Sequence, residues 1–335
     1  MDKFLIKGPC KIKGKISVEP SKNSSLPILA STLLFDQPVV IKNLPRVKDI
    51  DTMISLLQSL GSKIIFSKDK RSVKIINKKK MRTYASYSIV KKMRGSFLVL
   101  GPLLAKFYNS KCSLPGGCNL GARPVNYHLQ ALKKLGMNYH LKDGYILAKS
   151  KGKLKGATIK FPKISVGATE NSIIAACLAK GKTVLKNCAI EPEIKDLTNF
   201  LNKAGAKIKW TGRVCRITGV NSLNETEYSV MADRIEAGTF CVAATLAKGN
   251  LQINNLNPKI IDTEIKLLKK VGAKINTSEN KILIKGPEKI KSIKSIKTKE
   301  FPGIPTDLQA QLMVLMCKAV GKSSITESIF ENRFM

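Results

Sequence analysis

The sequence is short of acid, of histidine and of indole. Only 23 Asp and Glu stand against 59 Lys and Arg, and 335 residues hold two histidines and one tryptophan. With His128 and His140 alone, and no Cys-x-x-Cys pair among eight cysteines, neither a zinc cage nor a Cys-His protease dyad is supported. Long apolar runs are also missing: the stretch 26–35 falls short of a membrane span. The opening apolar run is too short for a signal peptide, so free cysteines are expected in a reducing cytoplasm. Length alone allows two domains with separate cores.

The formal charge of +36 points first to nucleic acid. The excess is nearly all lysine, with nine arginines, and is scattered along the whole chain. Runs such as Lys78-Lys79-Lys80 and the stretch 289–299 are short and read as solvated faces. No aromatic-interleaved RNA motif occurs, and Trp210 is the single indole. Neither a specific nucleic-acid partner nor a membrane is expected. Abundant Lys, Ile and Asn fit compositional drift in an AT-rich genome.

What is present is a distinctive loop, Leu114-Pro115-Gly116-Gly117-Cys118-Asn119-Leu120-Gly121-Ala122-Arg123-Pro124. Pro124 suits a helix start, and Val125, Leu129, Leu132 and Leu135 follow at helical spacing. Arg123 and the free N–H groups of that start favour an anion. Cys118 has a bland reading as a small buried hydrophobe, against which the Gly-Gly loop argues for exposure. Cys10, Cys112, Cys177, Cys188, Cys215, Cys241 and Cys317 lie mostly in apolar runs and are expected in the core.

The chain also repeats itself. Gly61, Gly136, Gly205 and Gly272 each close an apolar-periodic helix and precede a strand, as C-cap glycines do. Around them recurs an apolar helix, a strand, an amphipathic helix and further strands, as in 172–179, Lys182-Thr183-Val184-Leu185, Ile194/Leu197/Leu201 and Val214-Cys215-Arg216-Ile217. Helices that apolar are expected inside, walled by sheet. A fifth copy begins near Gln309 and runs through Ser324-Ile325-Thr326, and the sequence ends before its second helix.

These features resemble a known family. The cysteine loop, Ser21-Lys22-Asn23, Lys163-Ile164-Ser165-Val166-Gly167-Ala168-Thr169, Phe301-Pro302-Gly303-Ile304-Pro305-Thr306-Asp307 and 329–335 together resemble the UDP-N-acetylglucosamine enolpyruvyl transferases. The resemblance runs the length of the chain. It implies an α/β fold of two domains, an inside-out α/β barrel of repeated βαβαββ-like units, with the last one and a half units absent. The first domain would span 22–230, and the second 1–21 plus 231–335. It implies transfer of the enolpyruvyl group of phosphoenolpyruvate to the sugar 3′-hydroxyl, with release of phosphate and no cofactor or metal. A separate C-terminal fragment completing the fold is left open.

By the same resemblance, Cys118 is the proton donor, and Lys22, Asn23 and Arg123 bind phosphoenolpyruvate. Arg94, Arg123, Pro124, Val125, Asn126, Tyr127, Lys163, Ile164, Ser165, Val166, Asp307 and Ile329 contact the nucleotide-sugar. Position 126 often carries aspartate in the family, where this chain has Asn126. Asp307 is the base for the sugar hydroxyl. Two of these residues have local alternatives: Asn23 as a cap before 26–34, and Asp307 as a cap of a helix over 308–318. Three rival readings stand beside the transferase. They are the sister enzyme acting on shikimate 3-phosphate, an inactive remnant that still binds the nucleotide-sugar, and a basic RNA-binding protein.

Overall fold

The computed structural model describes residues 3–8, 10–114 and 125–334. The chain forms two compact units, one of residues 20–231 and one of residues 1–19 with 232–335.

In the first unit three four-stranded sheets follow one plan. Val39–Lys42 pairs in parallel with Thr226–Ser229 and antiparallel with Val73–Ile76, beyond which lies Lys63–Phe66. Asn109–Ser113 takes the same place between Tyr84–Ala85 and Tyr145–Ser150, with Met137–Lys142 outside. Lys182–Lys186 does so between Thr158–Lys160 and Val214–Thr218, with Lys207–Thr211 outside. The helices are α1 (Lys22–Ser31), α2 (Lys48–Leu60), α3 (Tyr87–Val90), α4 (Leu100–Phe107), α5 (Asn126–Lys134), α6 (Val166–Ala176) and α7 (Pro192–Lys203). Every residue of α1 from Ser24 and of α6 from Ala168 is buried, so these helices have no solvent face and form the core. In α2 and α7 the buried residues recur at helical spacing, Met53/Ile54/Leu57 in one and Ile194/Leu197/Leu201 in the other.

The second unit repeats the plan. Asn250–Asn254 lies between Lys13–Ser17, in parallel, and Lys281–Lys285, with Lys274–Ser278 outside. A fifth parallel pair joins Ser295–Lys297 to Ser324–Thr326. Its helices are α8 (Arg234–Leu246), α9 (Asp262–Lys270) and α10 (Gln309–Cys317).

Two local devices hold the repeats in register. Gly61, Gly136, Gly205 and Gly272 close their helices at φ of 113°, 104°, 95° and 110°, a left-handed conformation that a side chain resists. The residue just after the central strand is an asparagine at 43, 187 and 255, each at positive φ. Each donates its side-chain N–H to the carbonyl at the end of the parallel neighbour strand: Asn43 to Val230 at 2.9 Å, Asn187 to Phe161 at 2.9 Å and Asn255 to Val18 at 3.2 Å. Asparagine is the non-glycine residue best suited to that backbone, and its amide closes the strand end.

Five of the seven cysteines expected in the core are there. Burial pushes the thiols of Cys112, Cys177 and Cys241 up to about 12, so they stay protonated and inert. Cys10 and Cys317 are exposed, contrary to that expectation. Cys317 ends α10, whose Met313 and Val314 are also exposed, so the apolar run around it does not pack on all sides.

Candidate active site

Lys22 and Asn23 open α1, but neither caps it. Ser21 does, its hydroxyl accepting from the Ser24 N–H at 3.2 Å. The capping alternative for Asn23 therefore falls. Lys22 Nζ lies 3.2 Å from Asp49 Oδ2 in an exposed ion pair. The first turn is anchored from α7: Ser24 Oγ donates to Asp196 Oδ2 at 2.5 Å, and Tyr228 donates to Oδ1 at 2.5 Å. The Met231 N–H completes the carboxylate's partners at 3.2 Å. Burial raises the Asp196 carboxyl above its ordinary range, against the pull of these three donors.

Three segments that the sequence links to the nucleotide-sugar meet around one histidine that it does not. Arg94 opens the 3-10 turn Arg94–Val99, which leads directly into α4. Val125, Asn126 and Tyr127 form the start of α5, and Ser165 caps α6 by accepting from the Ala168 N–H at 3.4 Å. His128, one residue after Tyr127, sits between them. Phe97 meets its ring edge-on at 5.2 Å between centroids. A Cβ on Gly167 would come within 3.1 Å of the ring, so α6 approaches this closely because position 167 has no side chain. Asn171 locks the junction: its Oδ1 accepts from the Gly101 N–H at 2.8 Å and its Nδ2 donates to His128 Nδ1 at 3.2 Å. Burial and the nearby Arg94 cation push His128 down to about 3, so the imidazole is neutral, with its proton on Nε2. Lys163 and Val166 are exposed beside this junction, and Ile164 is half-buried.

Sequence reasoning also passed over Glu170, Glu191 and Glu193. All three are buried. Burial, then the charges of Glu193 and Glu191, hold Glu170 well above the usual carboxylate range. The available signal was a glutamate two residues before the apolar run 172–179.

In the other unit, Asp307 lies in the 3-10 turn Thr306–Leu308 that leads into α10. It does not cap that helix, whose start carries no side-chain cap. Its carboxylate instead lies 3.7 Å from Arg333 Nη2, and the Arg333 guanidinium sits over the Phe330 ring at 6.0 Å. Ile329 donates its N–H to Glu327 Oε1 at 2.7 Å. Cys118, Arg123 and Pro124 lie outside the described residues.

The profile of the EPSP synthase family, described as EPSP synthase (3-phosphoshikimate 1-carboxyvinyltransferase), matches residues 6–335. The chain belongs to that family. Within it, the chain is 61% identical over its whole length to UDP-N-acetylglucosamine 1-carboxyvinyltransferase of Pelagibacter ubique (strain HTCC1062), covering 80% of that protein. It is 47% identical to the protein of the same name from Endomicrobium trichonymphae, again covering all of this chain and 80% of the relative. The fold is that of solved enolpyruvyl transferases. The enzyme NikO from Streptomyces tendae superposes with a TM-score of 0.84 over 96% of this chain and 76% of its own, at 19% identity. EPSP synthase from Acinetobacter baumannii gives 0.71 over 95% and 74%, also at 19% identity. Among the described residues no helix is long and apolar enough to cross a membrane.

Proposed function

We propose that this chain transfers the enolpyruvyl group of phosphoenolpyruvate to the 3′-hydroxyl of UDP-N-acetylglucosamine and releases phosphate. The observation that carries this is the 61% identity, over the entire chain, to a relative bearing the name of that activity. The shikimate 3-phosphate reading has weaker support: the EPSP synthase structure shares the fold at 19% identity.

In this reading the hydroxyl oxygen bonds to the central carbon of phosphoenolpyruvate while an acid protonates the methylene carbon. Expulsion of phosphate, with one methyl proton passing to a base, then re-forms the carbon–carbon double bond and gives the vinyl ether product. Cys118 is the acid, a role within the chemistry of a thiol, which can carry a proton at neutral pH and yield it. Asp307 is the base toward the sugar hydroxyl. Lys22, Asn23 and Arg123 bind phosphoenolpyruvate, whose anionic charge calls for cations. Arg94, Arg123 and the segments 124–127 and 163–166 take the nucleotide-sugar, and Ile329 offers it main-chain contact. The convergence of Arg94–Val99, α5 and α6 on His128 supports assigning those segments to one ligand. The reaction is the first committed step of peptidoglycan synthesis in the cytoplasm, and through it the chain serves cell wall biogenesis, cell shape, the cell cycle and cell division.

The test is acceptor discrimination. With phosphoenolpyruvate, UDP-N-acetylglucosamine should yield equal amounts of phosphate and enolpyruvyl product, and shikimate 3-phosphate none. The reverse preference would overturn the assignment.

A further inference from the structure

The fifth repeat departs from the asparagine pattern of three of the others, the remaining one having Leu114 after Asn109–Ser113. Where Asn43, Asn187 and Asn255 follow the central strand, Glu327 follows Ser324–Thr326. The strand end is still closed in the same way. The Thr298 N–H donates to the Thr326 carbonyl at 3.0 Å, as Val230, Phe161 and Val18 do in their repeats. The Thr298 carbonyl still receives a side-chain donor, now the hydroxyl of Ser328. Ser328 has therefore taken over the asparagine's task, and the residue after the strand is released for another.

That residue's carboxylate joins two segments of the proposed sugar subsite. Glu327 Oε1 accepts from the N–H groups of Ile329 at 2.7 Å and Phe330 at 3.1 Å. Its Oε2 accepts from the Thr306 hydroxyl at 2.9 Å, immediately before Asp307. The Thr298 hydroxyl bonds the same carboxylate and also accepts from the Ser328 N–H at 3.0 Å. Burial pushes this carboxyl up, but the donors together outweigh it and hold the group below its ordinary range. An amide in its place could not be an acceptor through both of its ends.

We propose that Glu327 is a positioning residue of the transferase, tying the turn that carries Asp307 to the main chain at Ile329. It touches no reacting atom and acts through those two residues. The proposal rests on the functional reading above, in which Asp307 is the base and Ile329 a sugar contact.

The test is steady-state kinetics of the full chain with both substrates. Glu327→Ala should lower kcat about 30-fold and raise the KM for UDP-N-acetylglucosamine, because a misplacement of about 1 Å costs on the order of 100-fold. The KM for phosphoenolpyruvate should stay within about twofold. Glu327→Gln keeps one acceptor for the two N–H groups and a donor toward Thr306, and should recover most of the loss. Thr306→Val cuts only the tether to the Asp307 turn and should lower kcat alone, which decides the matter if the alanine variant does not fold. In an Asp307→Asn background, Glu327→Ala should add no more than about twofold. If Asp307→Asn is inactive while Glu327→Ala and Thr306→Val keep wild-type kcat and KM, the positioning role is overturned and the functional reading stands. If Asp307→Asn itself turns over normally, or the parent chain does not turn over, that reading falls and takes the proposal with it.

Discussion

Asn171 donates to His128 Nδ1 across 3.2 Å, and this bond exists only while the imidazole is neutral. A protonated ring has no acceptor, and it would be desolvated beside Arg94. The consequence is a dependence of stability on pH. In the folded chain His128 takes a proton only near 3, whereas the unfolded side chain does so at about 6.5. Above about 6.5 both states are neutral and stability is level; below it the unfolded chain gains a proton that the folded chain refuses. Stability is therefore lost progressively as pH falls from about 6.5 toward 3, by about 2 kcal/mol on reaching pH 5. Urea unfolding at a series of pH values checks this, and His128→Gln should flatten that part of the profile.

Gly101→Ala should be among the most damaging single substitutions. A Cβ there would lie 2.1 Å from Asn171 Oδ1 and 2.7 Å from the Asn171 carbonyl oxygen, so α4 and α6 must separate. Overpacking typically costs about 1–3 kcal/mol, and here it also strains the hydrogen bond that orients Asn171. Differential scanning calorimetry should show a lowered Tm, with UDP-N-acetylglucosamine binding weakened in whatever remains folded.

The glycines that end the helices were legible in the sequence because a left-handed residue is a backbone demand that glycine meets with least strain. The helix around Ile194/Leu197/Leu201 was legible from period alone. The buried helix α6 was caught only from Ser172 onward: it begins at Val166, and the polar residues Thr169, Glu170 and Asn171 hid its first turns; Ser172 is the fourth polar residue buried there. Those residues belong inside because three of them have partners there. Thr169 and Ser172 donate to carbonyls one turn back, and Asn171 bonds across helices. The pairing of Asp307 with Arg333 joins residues far apart in sequence, and no local pattern encodes it.

Asp196→Ala should destabilise the first unit by about 3 kcal/mol, since it strands two hydroxyls and a peptide N–H that now share one buried carboxylate. The effect should reach the start of α1. Phosphoenolpyruvate protection against thermal unfolding should weaken more in this variant than protection by the nucleotide-sugar. Equal weakening would separate Lys22 and Asn23 from the phosphoenolpyruvate site.

Asp307→Asn keeps the shape of the side chain and removes its basicity. If Asp307 is the base, kcat should fall by about 100-fold or more, the usual contribution of such a group, with little change in the KM for phosphoenolpyruvate. Arg333→Lys shortens the cation's reach and should give a smaller loss of the same kind, since a lysine lacks the planar fork.

The most direct measurement is phosphate release by the purified chain with phosphoenolpyruvate and UDP-N-acetylglucosamine, run beside Cys118→Ala. The account predicts turnover that requires both substrates and is lost in the variant. Phosphate release that persists in Cys118→Ala would remove the thiol from the chemistry. A folded chain that releases none with either protein would contradict the assignment of this activity.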